Sequence, residues 1–135
     1  MIIRSNRITI NRIRKPAADN VNDELQWFFD SLGILGERDK DKSCFRTAIV
    51  LLRSVKHGDG LTSDEISEKV NLSRGTVVHH LNKLMKSGVV INQGSRYMLR
   101  VDSLSNLVEE IEHDIYRTME SLRDVAKEID DRLEL

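Results

Sequence analysis

Residues 61–100 read LTSDEISEKVNLSRGTVVHHLNKLMKSGVVINQGSRYMLR, and the order of caps, apolar stripes and glycines in them decides the fold. Thr62 and Glu65 have the spacing of a capping box, in which a hydroxyl and a carboxylate satisfy the first free amides of a helix. Ile66 and Val70, four apart, share one face of that helix. Asn71 tolerates the left-handed conformation that ends a short helix, and Leu72 points back inward at the turn. Ser73 caps a second helix. Val77, Leu81 and Leu84 follow at the four-then-three spacing of a buried stripe, and Gly88 stops the helix. Val89, Val90 and Ile91 are β-branched and start a strand. Gly94-Ser95 supplies a turn, and 96–101 returns as a second strand.

Burying Val77, Leu81 and Leu84 turns Arg74, Gly75, Val78, His79 and Asn82 outward. Arg offers a two-pronged donor to guanine, Asn a donor–acceptor pair to adenine, and Val78 suits a thymine methyl. Gly75 lets the helix start approach a groove closely. These five are the expected base contacts. Ser73, Thr76, Lys83, Lys86 and Arg96 are the expected phosphate contacts, which set register without reading sequence. On a lone helix such a polar face is simply solvated. Two capped helices followed by a hairpin form a winged helix-turn-helix, which places its second helix, here residues 73–87, in the major groove.

SRGTVVHHLNKLMKSGVV resembles the recognition helix and first wing strand of ArsR-like winged-helix repressors through Ser73, Val77, His79-His80-Leu81, Leu84 and Gly88-Val89. The resemblance covers residues 43–101 and implies a homodimer on a partly palindromic DNA site. It does not extend to metal sensing. Where metal-sensing members carry Cys-x-Cys, this chain has Ile66-Ser67-Glu68-Lys69-Val70. On the last helix His113 and Asp114 are adjacent and no second histidine follows. No metal and no cofactor are expected.

The chain has 135 residues and a net charge of −1, which looks wrong for a polyanion binder until it is read by segment. Residues 1–18 carry +5, residues 19–42 carry −4, residues 43–101 carry +5 and residues 102–135 carry −7. The two positive segments can face phosphate while the acidic tail discourages indiscriminate binding. No apolar run is long enough for a membrane span. A charged N-terminus without an apolar stretch argues against a secretory signal, and one cysteine, Cys44, argues against a disulfide framework. A cytoplasmic, nucleoid-associated protein is expected.

The N-terminal segment 1–18 alternates in part and leaves two readings open. One is a basic arm, with Arg4, Arg7, Arg12, Arg14 and Lys15 on the DNA backbone or in a minor groove. The other is an edge strand or a segment packed on a partner subunit, with solvated arginines. Residues 19–42 hold an aromatic helix over 20–35, capped by Asn20 or Asn22, and a polar linker at 37–42. Trp27, Phe28 and Phe29 cannot share one face, so this helix meets two surfaces; core packing is the main use and an effector pocket the alternative. Ser43 is read as the cap of the first helix of the winged domain, 43–101.

The acidic segment 102–135 carries its own signal. Leu104, Ile111, Thr118 and Val125 recur every seven residues. Val108, Ile115, Leu122 and Ile129 recur in the same register four residues on. This a/d seam predicts a coiled-coil-like helix, roughly 45 Å long at 1.5 Å per residue. Leu104, Val108, Ile111, Ile115, Leu122, Val125 and Ile129 are its expected dimer contacts.

The expected architecture is mainly α, with a small β-hairpin wing and a long C-terminal dimerisation helix. The expected function is sequence-specific binding of double-stranded DNA by a homodimeric transcription regulator, with no membrane association. A winged module that docks on protein, including transcription machinery, and a chromatin-like non-specific DNA binder are the alternatives. An enzyme is not expected, since the sequence shows no Gly-rich phosphate loop, no metal-ligand cluster and no nucleophile paired with a base.

Overall fold

A computed structural model describes residues 7–17, 20–35, 39 and 42–135. Arg4 and most of the polar linker lie outside the described residues. The chain divides into two compact units, 1–102 and 103–135. The first contains α1 (Val21–Ser31), α2 (Ser43–Ser54) with a 3-10 turn at Val55–His57, β1 (Leu61–Thr62), α3 (Ser63–Val70), α4 (Arg74–Lys86), β2 (Val90–Gln93) and β3 (Arg96–Leu99). The second is the single helix α5 (Leu104–Leu133). This is the mainly helical winged helix-turn-helix plan expected from residues 61–100.

The helix-turn-helix forms for the local reasons visible in its sequence. The Thr62 hydroxyl accepts from the Glu65 amide at 3.1 Å, and the Glu65 carboxylate accepts from the Thr62 amide at 3.2 Å. Asn71 takes φ 55° and ends α3. The Ser73 hydroxyl accepts from the Thr76 amide at 3.2 Å and starts α4. Ile66, Val70, Val77, Leu81 and Leu84 are all buried, which brings the stripes of α3 and α4 into one core with Phe45, Ala48 and Leu51 of α2.

The wing is larger than a hairpin. β2 and β3 pair antiparallel with Gln93 opposite Arg96, leaving Gly94-Ser95 as a two-residue loop. Gly94 has φ 66°, the positive value that such tight hairpin loops require at their first position. A third strand, β1, pairs with β3 through Leu61–Tyr97 and Thr62–Arg96, giving the order β1-β3-β2. Two residues carry no alternation to read, so this strand was invisible in the sequence.

Two expectations need correction. Residues 7–17 form no strand. They run as an extended segment docked on α1: the Asn11 amide donates to the Ser31 carbonyl at 2.7 Å and the Trp27 indole donates to the Ile13 carbonyl at 3.0 Å. A Cβ on Gly33, at φ 68°, would lie 2.7 Å from Thr9 Cγ2, so glycine lets the segment pass. Ser43 does not cap α2 either. It is the first helical residue, and the Asp39 carboxylate accepts from the Cys44 and Phe45 amides at 2.8 and 3.2 Å instead. A carboxylate at a helix start also suits the macrodipole.

The aromatic helix α1, capped by Asn20, does meet two surfaces. Phe29 is fully buried, edge-on to Phe45 with ring centroids 6.2 Å apart, while Trp27 serves the docked segment. Phe28 and Phe29 therefore pack against each other and the core, while Trp27 also lines a surface pocket with Ile10, Ile13 and Ser31.

In the second unit, the Ser103 hydroxyl caps α5 by accepting from the Asn106 amide at 3.0 Å. Arg117–Asp114 and Arg123–Glu120 pair along its surface. Ile111 is buried, as is Leu107, which lies off the expected seam. Leu104 and Ile115 are half-buried. Further along, Leu122, Val125 and Ile129 are 58%, 51% and 48% exposed. Among the described residues no helix is long and apolar enough to cross a membrane.

Candidate nucleic-acid interface

At about 100° per residue, the buried stripe of α4 fixes what its other sides present. Gly75, His79 and Asn82 lie opposite the core and are exposed, with Lys86 in the last turn. Arg74 and Val78 fall on one flank; Arg74 is exposed and Val78 half-buried. His80 falls on the other flank. The structure therefore brings three of the five expected base contacts to the open face of one helix, with Arg74 and Val78 on its flank. A Cβ built on Gly75 has nothing within 4 Å. No internal packing demands glycine there, although glycine weakens a helix relative to alanine.

The expected phosphate contacts are less uniform. Ser73 is exposed at the helix start, where free amides and the positive end of the dipole favour an anion. Thr76 is half-buried and shares a hydrogen bond with the Ser73 hydroxyl at 2.8 Å. Lys83 is half-buried, and its charge acts on Cys44 and His80 at the α2 side. Arg96 is not a free wing-tip cation. It donates to the Gly60 carbonyl at 3.1 Å and lies 3.6 Å from the Glu65 carboxylate, so its guanidinium ties the turn end of the wing to the residue before β1 and to α3.

Arg7, Arg12, Arg14 and Lys15 are exposed. They do not sit on a free arm, because their backbone is docked on the protein. The Arg7 amide donates to the Lys86 carbonyl at 3.0 Å, so the segment begins at the C-terminal end of α4.

Two features of the site were missed in the sequence. His80 Nε2 lies 2.8 Å from the Ser43 hydroxyl, which in turn lies 3.4 Å from the Asp39 carboxylate. This chain ties the flank of α4 to the start of α2. Burial pushes the His80 pKa down; Asp39 opposes that shift, and His79 and Lys83 add to it. The second is an ion pair between Arg74 Nε and Asp64 Oδ1 at 3.6 Å. Both cross between elements at spacings that no periodic pattern encodes. Cys44, beside the first network, is buried, and that burial raises its thiol pKa to about 11. A thiol so held stays protonated and unreactive.

Residues 46–91, from α2 into β2, match the family model described as winged helix-turn-helix DNA-binding. Comparison with curated proteins and with solved structures finds no match. The matched segment contains all of α3 and α4 and supports DNA binding by the first unit.

Proposed function

We propose that this chain is a sequence-specific, double-stranded-DNA-binding transcription regulator that works as a homodimer. The carrying observation is the open face of α4, where Gly75, His79 and Asn82 stand exposed opposite a fully buried stripe, with Arg74 exposed on the flank. Val78 at the margin completes the base contacts. Ser73, Thr76, Lys86 and, from the helix flank, Lys83 hold phosphates, while Arg96 supports the wing. The ArsR-like resemblance of residues 73–89 favours a partly palindromic operator. Two recognition helices would then lie about one helical turn, roughly 34 Å, apart. The chain acts as a binding protein rather than an enzyme.

The homodimer rests on α5. Leu122, Val125 and Ile129 keep a heptad register and stay exposed, which an amphipathic helix resolves by burying them against another. A second copy supplies the same stripe.

The test is selection of bound duplexes from a random pool, repeated with Arg74→Ala and at several salt concentrations. A palindromic consensus that Arg74→Ala blurs at one position per half-site is expected. Salt-sensitive binding without a consensus would instead indicate a general DNA-coating protein. Absence of binding at low salt would transfer the function to protein docking.

A further inference from the structure

Asp64 is an acid in the first turn of α3, where the macrodipole favours it. It lies beside the start of the recognition helix, 78% exposed at its side chain. A carboxylate there repels the phosphates that the same surface must attract. The Thr62–Glu65 box caps α3 without it, so its charge can serve a further contact. What Asp64 does face is Arg74: its Oδ1 lies 3.6 Å from Arg74 Nε, an exposed ion pair longer than a hydrogen bond.

The nitrogen used in that contact matters. Nε is the stem-side donor of the guanidinium, and a carboxylate there leaves the terminal Nη1–Nη2 pair unoccupied. That pair is the fork that meets guanine O6 and N7 in a bidentate contact. A long arginine at the margin of a helix otherwise samples many rotamers and finds phosphates as readily as bases. In water an exposed pair like this one restrains little. Once DNA excludes solvent from the groove, the same pair strengthens, since the local dielectric falls.

We propose that Asp64 is a positioning residue for base recognition. It holds Arg74 by its Nε edge so that the fork reads guanine, and it disfavours the alternative in which Arg74 folds onto a phosphate. General affinity is sacrificed for discrimination. The inference rests on α4 being the reading helix and adds a second helix to the specificity machinery.

The experiment compares wild type, Asp64→Asn, Arg74→Ala and the double variant on the selected operator, on operators changed at each base pair, and on random duplex. Asp64→Asn should bind random duplex more tightly, by roughly two- to fivefold, because one repulsive charge is gone. Its preference for the base pair read by Arg74 should fall by roughly tenfold, a sizeable part of what one bidentate contact discriminates. In the Arg74→Ala background the same substitution should leave that preference unchanged, since the partner it positions is absent. Asp64→Ser, which keeps a hydrogen-bonding side chain in the first turn of α3, should behave like Asp64→Asn. Undiminished preference in Asp64→Asn, with any change in melting temperature, would overturn the inference and leave Asp64 as a helix-dipole acid. A wild type with no base preference would overturn the DNA-reading role of α4 and this inference with it.

Discussion

At the scale of single residues, two positions link stability to function in opposite ways. Gly75 faces open space at the start of α4. Gly75→Ala should stabilise the fold by about 0.5–1 kcal/mol and weaken operator binding, because the added methyl meets the groove. A denaturant midpoint that rises without any loss of affinity would mean that DNA does not come close there. His80 supplies the pH dependence. Burial disfavours its imidazolium, so the unfolded chain takes up this proton at a higher pH than the folded one. The stability His80 contributes is present above about pH 6.5 and falls as pH drops through that value. Wild type should lose unfolding midpoint between about pH 7.5 and pH 5.5, and His80→Gln should lose less of it. Parallel curves for the two would assign the acid sensitivity to other groups.

Elements carry the next set of consequences. The capping box of α3 is local, and Thr62→Ala should cost about 1 kcal/mol, read as a shift in urea midpoint at constant slope. The last turns of α5 are different, because their apolar residues are exposed and add nothing to the unit they belong to. If α5 carries the proposed homodimer, Leu122→Lys with Ile129→Lys should leave the helical signal of the first unit intact and yield monomer at micromolar concentration, by light scattering. A double variant that stays dimeric would place the interface on another element. Thr118 is a polar, exposed residue within the heptad pattern, a kind of position that in coiled coils sets register at a cost in stability.

On the scale of the whole molecule, charge is segregated rather than absent. The docked segment 7–17 exposes Arg7, Arg12 and Arg14 on a first unit that also carries the basic α4. Changing these three to Gln should reduce the salt slope of DNA binding by about one for each phosphate they neutralise. An unchanged slope would leave them as solvated anchors of the docked segment. Helices α3 and α4, their caps, their turn and the β2–β3 hairpin were legible in residues 61–100, because caps, left-handed turn residues and 3.6-residue periodicity are local properties of the chain. The exposed face of α4 followed from its buried stripe by geometry. The remainder depended on residues distant in sequence meeting in space. Packing against Trp27 and Gly33 made the N-terminal segment a docked strap rather than a strand or free arm. Asp39 caps α2 from outside the helix, while Ser43 lies within its first turn and meets His80. Strand β1 exists only because β3 offers it an edge, and Arg74 and Arg96 acquired carboxylate partners from α3. Hydrophobic period and helix caps act over a few residues and so are written in order along the chain. Ion pairs, edge pairing and side-chain networks belong to the tertiary structure, since it alone sets which of many polar groups come within hydrogen-bonding distance.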